Sequence, residues 1–318
     1  MLGELYGLDG KQLQAQYYNH LSDYSSWDQK AHAEDYILFP DNIGASLSMD
    51  ETALSRGELY TIVTNKEGKG RKGTLVAMIK GTVSSKVINI LANIPKELRD
   101  QVKEITIDLA PTMELIAKRS FENADRVSDR FHVQKLASDA VQEIRIRNRW
   151  EAIEQDNKER ELAKEEERNY KPFLHQNGDT LKQLLARSRY LLFKNESKWT
   201  PTQVHRSEIL FKLYPDLEQA YNLSQHLARI FNRKICSKVA YKKLALWHQE
   251  VERKGFKSFL VISKTIQNNY TNILNYFKNR STNASAESFN AKIKALRRQF
   301  RGVSNSKFFL FRLATIYS

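Results

Sequence analysis

Ser46-Leu47-Ser48-Met49-Asp50 alternates polar with apolar side chains and ends on a carboxylate, and Glu104-Ile105-Thr106-Ile107-Asp108-Leu109 repeats the pattern further along the chain. Strict alternation over a short run is the signature of a strand with one buried face. Between them, Leu59–Thr64 and Thr74–Ile79 are β-branched and aromatic, and the Gly/Lys-rich Asn65–Gly73 reads as the hairpin loop joining them. Val87, Ile90, Leu91 and Ile94 then recur at helical spacing, and Pro95 ends or kinks that helix. Arg126–Asp129 reads as a fifth strand. Neighbouring strands predict an antiparallel meander, and the strand–helix–strand crossover places the fourth strand parallel to an earlier one. If the partner is the first strand, Asp50 and Asp108 share one sheet edge at the carboxyl ends, where open α/β sheets put their chemistry.

Carboxylates beside an apolar core are costly unless something compensates them. One can be a turn former or a helix cap. Two, with a third candidate on a later helix, suggest a divalent cation such as Mg²⁺, which prefers hard oxygen ligands.

Working outward, residues 1–44 read as short helices, with Lys11–Leu21 carrying apolar and aromatic positions and Ser26-Trp27-Asp28 resembling a helix start. One long helix spans about Val133 to Arg168, its later half dense in Glu, Lys and Arg. Residues 171–280 are almost wholly helical, with turns near Gly178 and Thr200-Pro201. The last strong helix is Ala284–Phe300, closed by Gly302. At helical spacing Phe289, Ile293, Leu296 and Phe300 form one stripe, and Glu287, Asn290, Lys294, Arg298 and Arg301 fall nearly opposite. The apolar stripe is core packing. The polar one would be merely solvated in an ordinary helix.

The 318 residues carry a net charge of +14. Residues 1–49 hold 2 basic and 7 acidic side chains, residues 50–168 hold 22 of each, and residues 169–318 hold 27 basic and 8 acidic. The whole excess lies in the C-terminal half, a field suited to a polyanion, with nucleic acid favoured over a membrane surface. Apolar runs such as Leu75–Ile79 stop far short of a membrane span, no signal pattern opens the chain, and the single cysteine, Cys236, excludes an internal disulfide or a Cys-rich zinc site.

Four segments carry a family resemblance: Ser48-Met49-Asp50-Glu51-Thr52-Ala53-Leu54 with Gly57-Glu58-Leu59-Tyr60; Ile105-Thr106-Ile107-Asp108 with Ala110-Pro111-Thr112-Met113; Asp129-Arg130-Phe131-His132-Val133; and Ala286-Glu287-Ser288-Phe289-Asn290-Ala291-Lys292-Ile293-Lys294. In this order, over about residues 46 to 312, they resemble the ISL-three-like branch of the bacterial insertion-sequence DDE transposases, whose catalytic core is RNase H-like. The resemblance implies an α/β fold with an RNase H-like mixed sheet and a large all-helical insertion before the final catalytic helix. It divides the chain into an N-terminal helical segment (1–45), a first core part (46–133), the helical insertion (134–280) and a closing helix with its tail (281–318).

It further implies that Asp50, Asp108 and Glu287 are catalytic and bind two Mg²⁺ ions, with Mn²⁺ able to substitute. Asp129 and His132 would support the site, His132 being equally readable as a core histidine, and Glu51 matches the motif in a supporting or structural role. The substrate would be double-stranded DNA, at element ends and target, cut and then joined by metal-dependent phosphoryl transfer. Lys292, Lys294, Arg297, Arg298 and Arg301 are the main candidate DNA contacts; Arg187, Arg189, Lys242, Lys243 and the loop cations Lys69, Arg71 and Lys72 are lesser ones. Trp199 and Trp247 stack on an unpaired base or pack in the helical core. A homo-oligomer acting on DNA in the bacterial cytoplasm, at the nucleoid and not at a membrane, is expected. The residues ahead of Asp50 are acidic and lack cysteine, unlike a DNA-reading module. End recognition is therefore expected from a separately encoded partner or a portion missing from this chain. A catalytically inactive DNA-binding relic and a structure-specific nuclease of the same fold are the alternatives.

Overall fold

The computed structural model describes residues 6–54, 57–300, 303 and 305–318. It forms two compact units, Met1–Asp129 with Arg280–Ser318, and Arg130–Asn279. The first begins with helix α1 (Gly10–Gln16), a π turn (Tyr17–Leu21) and a 3₁₀ turn (Asp28–Ala31). Strands β1 (Tyr36–Leu38), β2 (Ser46–Ala53), β3 (Leu59–Asn65) and β4 (Leu75–Lys80) follow. Helices α2 (Ser84–Leu91) and α3 (Lys96–Asp100), strand β5 (Glu104–Ile107), helix α4 (Pro111–Ser120) and strand β6 (Asp125–Ser128) complete this stretch. The second unit is helical: α5 (Arg130–Glu165), α6 (Leu181–Arg187), α7 (Pro201–Leu213), α8 (Pro215–Asn232), α9 (Ser237–Lys254), α10 (Lys257–Asn268) and α11 (Tyr270–Asn279). The chain then returns to the first unit with α12 (Ala284–Gln299) and α13 (Ser306–Tyr317).

The sheet order is β1-β4-β3-β2-β5-β6. Strands β1 to β4 pair antiparallel, and β2/β5 and β5/β6 pair parallel. This is the mixed α/β sheet expected of an RNase H-like core, with the crossover returning beside the first long strand. The alternation explains the layering. Leu47, Met49, Ile105 and Ile107 pack with Val87 and Leu91 of α2 and with Met113 and Ile116 of α4. On a second cluster, Tyr60, Ile62, Leu75 and Met78 meet Phe289, Ile293 and Leu296 of α12 and Phe309, Leu310 and Leu313 of α13.

Several expectations are corrected. The strand through Asp50 does not end there but runs to Ala53, because β3 pairs with it through that residue. The helix after β4 stops at Leu91, and Pro95 instead caps α3, its fixed φ suiting a helix start. A sixth strand, β1, was not foreseen, since three residues are too few to show a period. Ala284–Phe300 is not the last helix: α13 follows, capped by the Asn305 side chain accepting from Phe308 N–H. Its run Phe308–Phe311 is apolar on every side and shows no helical stripe. Part of it meets the N-terminal segment, where Tyr17, Tyr18, Tyr24 and Trp27 pack on Phe308 and Phe311. Gly302, expected to close α12, lies outside the described residues.

In the second unit α6 and α7 each start with a capping box, Thr180/Gln183 and Thr200/Gln203. Arg145 of α5 is buried but satisfied, donating to Gln142 Oε1 (2.7 Å) and to the Leu185 carbonyl (3.0 Å). Trp247 is buried and donates to the Leu223 carbonyl, and Trp199 packs with Phe211 and Tyr221. Both tryptophans serve the helical core.

Candidate active site

The β2/β5 register aligns Ser46 with Glu104, Leu47 with Ile105 and Ser48 with Thr106. The same offset carried two residues further sets Asp50 level with Asp108. The β5/β6 register, ending at Ile107 with Ser128, sets Asp129 level with Asp108 in turn, and Asp129 N–H donates to the Ile107 carbonyl at 2.8 Å. The three aspartates therefore hold corresponding register positions on adjacent parallel strands, Asp108 and Asp129 just past the ends of β5 and β6 and Asp50 inside β2, three residues before its end. Past Ser48, β2 keeps its pairing with β3 but not with β5, so Asp50 sits where the two parallel strands part.

Local partners hold the carboxylates of Asp50 and Asp108. Asp50 Oδ1 accepts from Glu51 N–H (2.8 Å), and its Oδ2 accepts from Asn290 Nδ2 (2.8 Å). Asp108 Oδ1 accepts from Ala110 N–H (2.9 Å), turning the chain into α4, whose first residue is Pro111. Burial, reinforced by the charges of Asp108 and Asp50, pushes the Glu51 carboxyl above its ordinary value. Such concentrated negative potential and hard oxygen donors fit a divalent cation.

Helix α12 is pinned to β2 twice. Asn283, buried at its start, donates to the Met49 carbonyl (3.2 Å), and Asn290 bonds both Asp50 and the Glu51 carbonyl (3.3 Å). Asn290 is thus a buried contact to the sheet rather than part of a solvated stripe. The helix stripe alone could not show this, because spacing gives the relative angles of side chains and not which of them meet β2. Glu287 lies one turn before Asn290, in the first turn of α12, and is exposed. Among the described residues no group of three His, Cys, Asp or Glu side chains is gathered so as to hold a metal ion. Asp50 and Asp108 are brought level, while Glu287 is carried on the neighbouring helix and not closed onto them.

Asp129 is fully buried. His132 occupies the first turn of α5, half-buried, in the second unit. Lys294 and Arg298 are exposed, whereas Lys292 is tied down, its Nζ donating to the Gly70 carbonyl (2.6 Å). Gly70 has φ +71°, a conformation that favours glycine, and a Cβ there would lie 2.6 Å from that Nζ and push the ammonium aside. Arg297 is half-buried, and Arg301 lies outside the described residues.

Sequence reading passed over Lys66. Its Nζ reaches Thr106 Oγ1, Ser281 Oγ and, at 3.4 Å, Glu104 Oε1. It thereby ties β5 to the segment that leads into α12. Burial pulls this ammonium below its ordinary value, while the charges of Glu104 and Asp129 act the other way.

No solved structure is similar to the chain at a significant level. The transposase for insertion sequence element IS1001 of Bordetella parapertussis is 21% identical to it over 275 residues. That similarity covers 85% of this chain but only 60% of the relative's length. The model of a transposase family, the ISL3-type DDE transposases, matches residues 47–313, spanning β2 through most of α13 and taking in every aligned aspartate and Glu287. With a mixed sheet of the matching topology beneath that match, the chain belongs to the ISL3-type DDE transposase family.

Proposed function

We propose that this protein is a DNA transposase that cuts insertion-sequence ends and transfers the strand into target DNA, with Asp50, Asp108 and Glu287 as its metal-binding carboxylates. The observation carrying the proposal is the strand register that sets Asp50 level with Asp108 in a chain of this family. A divalent cation held there, Mg²⁺ or Mn²⁺, would supply activation of a water or a DNA 3′-hydroxyl and stabilise the leaving oxygen. The chain's own residues do the positioning. Asn290 holds one oxygen of Asp50, and the Ala110 amide holds one of Asp108, so each keeps a fixed carboxylate orientation with lone pairs left for a ligand. The two contacts of α12 on β2 bring Glu287 to the same side of the sheet as Asn290. The buried Asp129, level with Asp108, supports that strand end, and His132 opens the helix that follows it. Lys294, Arg297, Arg298 and Arg301, on or just beyond the same helix, would hold the DNA backbone. Lys292 would do so only by giving up Gly70.

Asp108→Asn is expected to abolish strand cleavage on DNA carrying the element ends and to leave DNA binding within about twofold, since an amide keeps the shape but loses the ligand charge. Cleavage at the wild-type rate would overturn the assignment. Oligomerisation on paired ends and recognition of the terminal repeats by a separately encoded protein belong to the same proposal. Light scattering of the chain with and without end DNA tests the former.

A further inference from the structure

The second unit carries 28 of the Lys and Arg residues against 17 Asp and Glu, a net +11 of the chain's +14. Within it the charge is concentrated. From Arg229 to Lys243 there are six basic side chains, Arg229, Arg233, Lys234, Lys238, Lys242 and Lys243, and no acidic one. This run spans the end of α8 and the start of α9. There the two helices enclose a pocket of about 240 Å³ lined by His226, Arg229, Ile230, Arg233 and Lys243. Four of the five lining residues can donate hydrogen bonds from basic groups, and among the described residues no carboxylate lines the pocket. Glu250 pairs with the lining His226, Nδ1 to Oε2 at 2.8 Å. That contact fixes the imidazole at the pocket wall.

Like charges brought together around a concavity repel, and an anion seated among them relieves the repulsion. Arginine and lysine pair with phosphate oxygens through charge-assisted hydrogen bonds. We propose that this α8/α9 pocket binds a backbone phosphate of duplex DNA, giving the inserted helical unit its own DNA contact apart from the carboxylates of the sheet. The proposal rests on the transposase reading only for the identity of the polyanion.

The test is fluorescence-anisotropy binding of the full chain to a random-sequence DNA duplex over a potassium chloride series. It compares wild type, Arg229→Gln/Lys243→Gln, and the charge-matched control Lys171→Gln/Lys212→Gln, which alters exposed lysines outside the pocket. Each phosphate contact contributes about 0.9 to the slope of log affinity against log salt. The pocket variant should therefore lose about 0.9 from that slope and roughly fivefold in affinity at roughly 0.15 M salt. The control should lose much less. Arg229→Lys, which keeps the charge, should retain the wild-type slope, and circular dichroism of each variant separates lost binding from lost folding. A pocket variant that is folded and matches the control overturns the proposal, as does tighter binding of a matched RNA duplex. Asp108→Asn in the same assay keeps the two readings distinguishable. Cleavage surviving that substitution would refute the carboxylate assignment without touching the pocket, and an unchanged salt slope would refute the pocket without touching the carboxylates.

Discussion

Lys66 is a buried cation whose partners come from three parts of the chain. Its side chain is 15% exposed and that of Glu104 10% exposed. Removing one partner of a buried pair costs about 3–5 kcal/mol, because the other charge stays behind in a low dielectric. Lys66→Met is therefore expected to lower unfolding free energy in urea by about that amount, and Lys66→Met/Glu104→Gln to recover a good part of it. The pH dependence has a definite sign. With the ammonium held below its ordinary value in the fold, the unfolded chain binds more protons in the interval between the folded pKa and 10.5. Stability from this group is thus present at the top of that interval and lost as pH falls through the folded pKa. Urea melts toward the alkaline end should show wild-type stability gaining relative to Lys66→Met. Asp50 and Asp108 were legible because strand alternation exposes a carboxylate in an apolar setting. Lys66 was not. It lies in a Gly/Lys-rich turn that looks solvated, and its burial depends on Thr106 and Ser281, the latter 215 positions away.

At the scale of elements, α12 links sequence pattern to site geometry. Its apolar stripe was legible and packs as expected on Tyr60, Ile62, Leu75 and Met78. Which polar residues face the sheet was not, since a helical wheel fixes relative angles and not the depth to which a helix docks. Asn290 decides that docking by holding Asp50. Groups that orient a metal ligand typically matter tenfold to a hundredfold in metal affinity or activity. With Asp50 as the metal ligand of the proposed function, Asn290→Ala should reduce the cleavage rate by roughly that factor while lowering melting temperature only slightly, whereas Phe289→Ala on the buried face should cost about 3–5 kcal/mol of stability. Rate loss in proportion to stability loss for Asn290→Ala would make it a packing residue and nothing more. The missed α13 shows the complementary failure: a helix buried on nearly every side has no period to read.

For the whole molecule, the question is whether two units with separate cores unfold separately. The second unit buries Leu184, Leu217, Leu227, Phe231, Trp247, Phe259 and Ile273. It also holds one fully buried carboxylate, Asp179, which accepts from Arg187, from Arg206 Nε at 3.1 Å and from Asn177 Nδ2 at 2.9 Å. Asp179→Ala leaves the guanidinium groups of Arg187 (56% exposed) and Arg206 (19% exposed) without their shared acceptor, and losing charged hydrogen bonds of that kind costs about 1.5–3 kcal/mol. Three of the four tryptophans, Trp150, Trp199 and Trp247, lie in this unit, so tryptophan fluorescence reports chiefly on it. Because units with their own cores open as separate cooperative blocks, the fluorescence-detected midpoint in urea should fall in Asp179→Ala. Amide exchange of peptides covering β2 and β5 should keep its wild-type protection at the same urea concentration. Protection lost in β2 and β5 together with the fluorescence change would mean that the inserted helices and the sheet form one cooperative block. The carboxylate edge would then owe its stability to the helical unit as well as to its own strands.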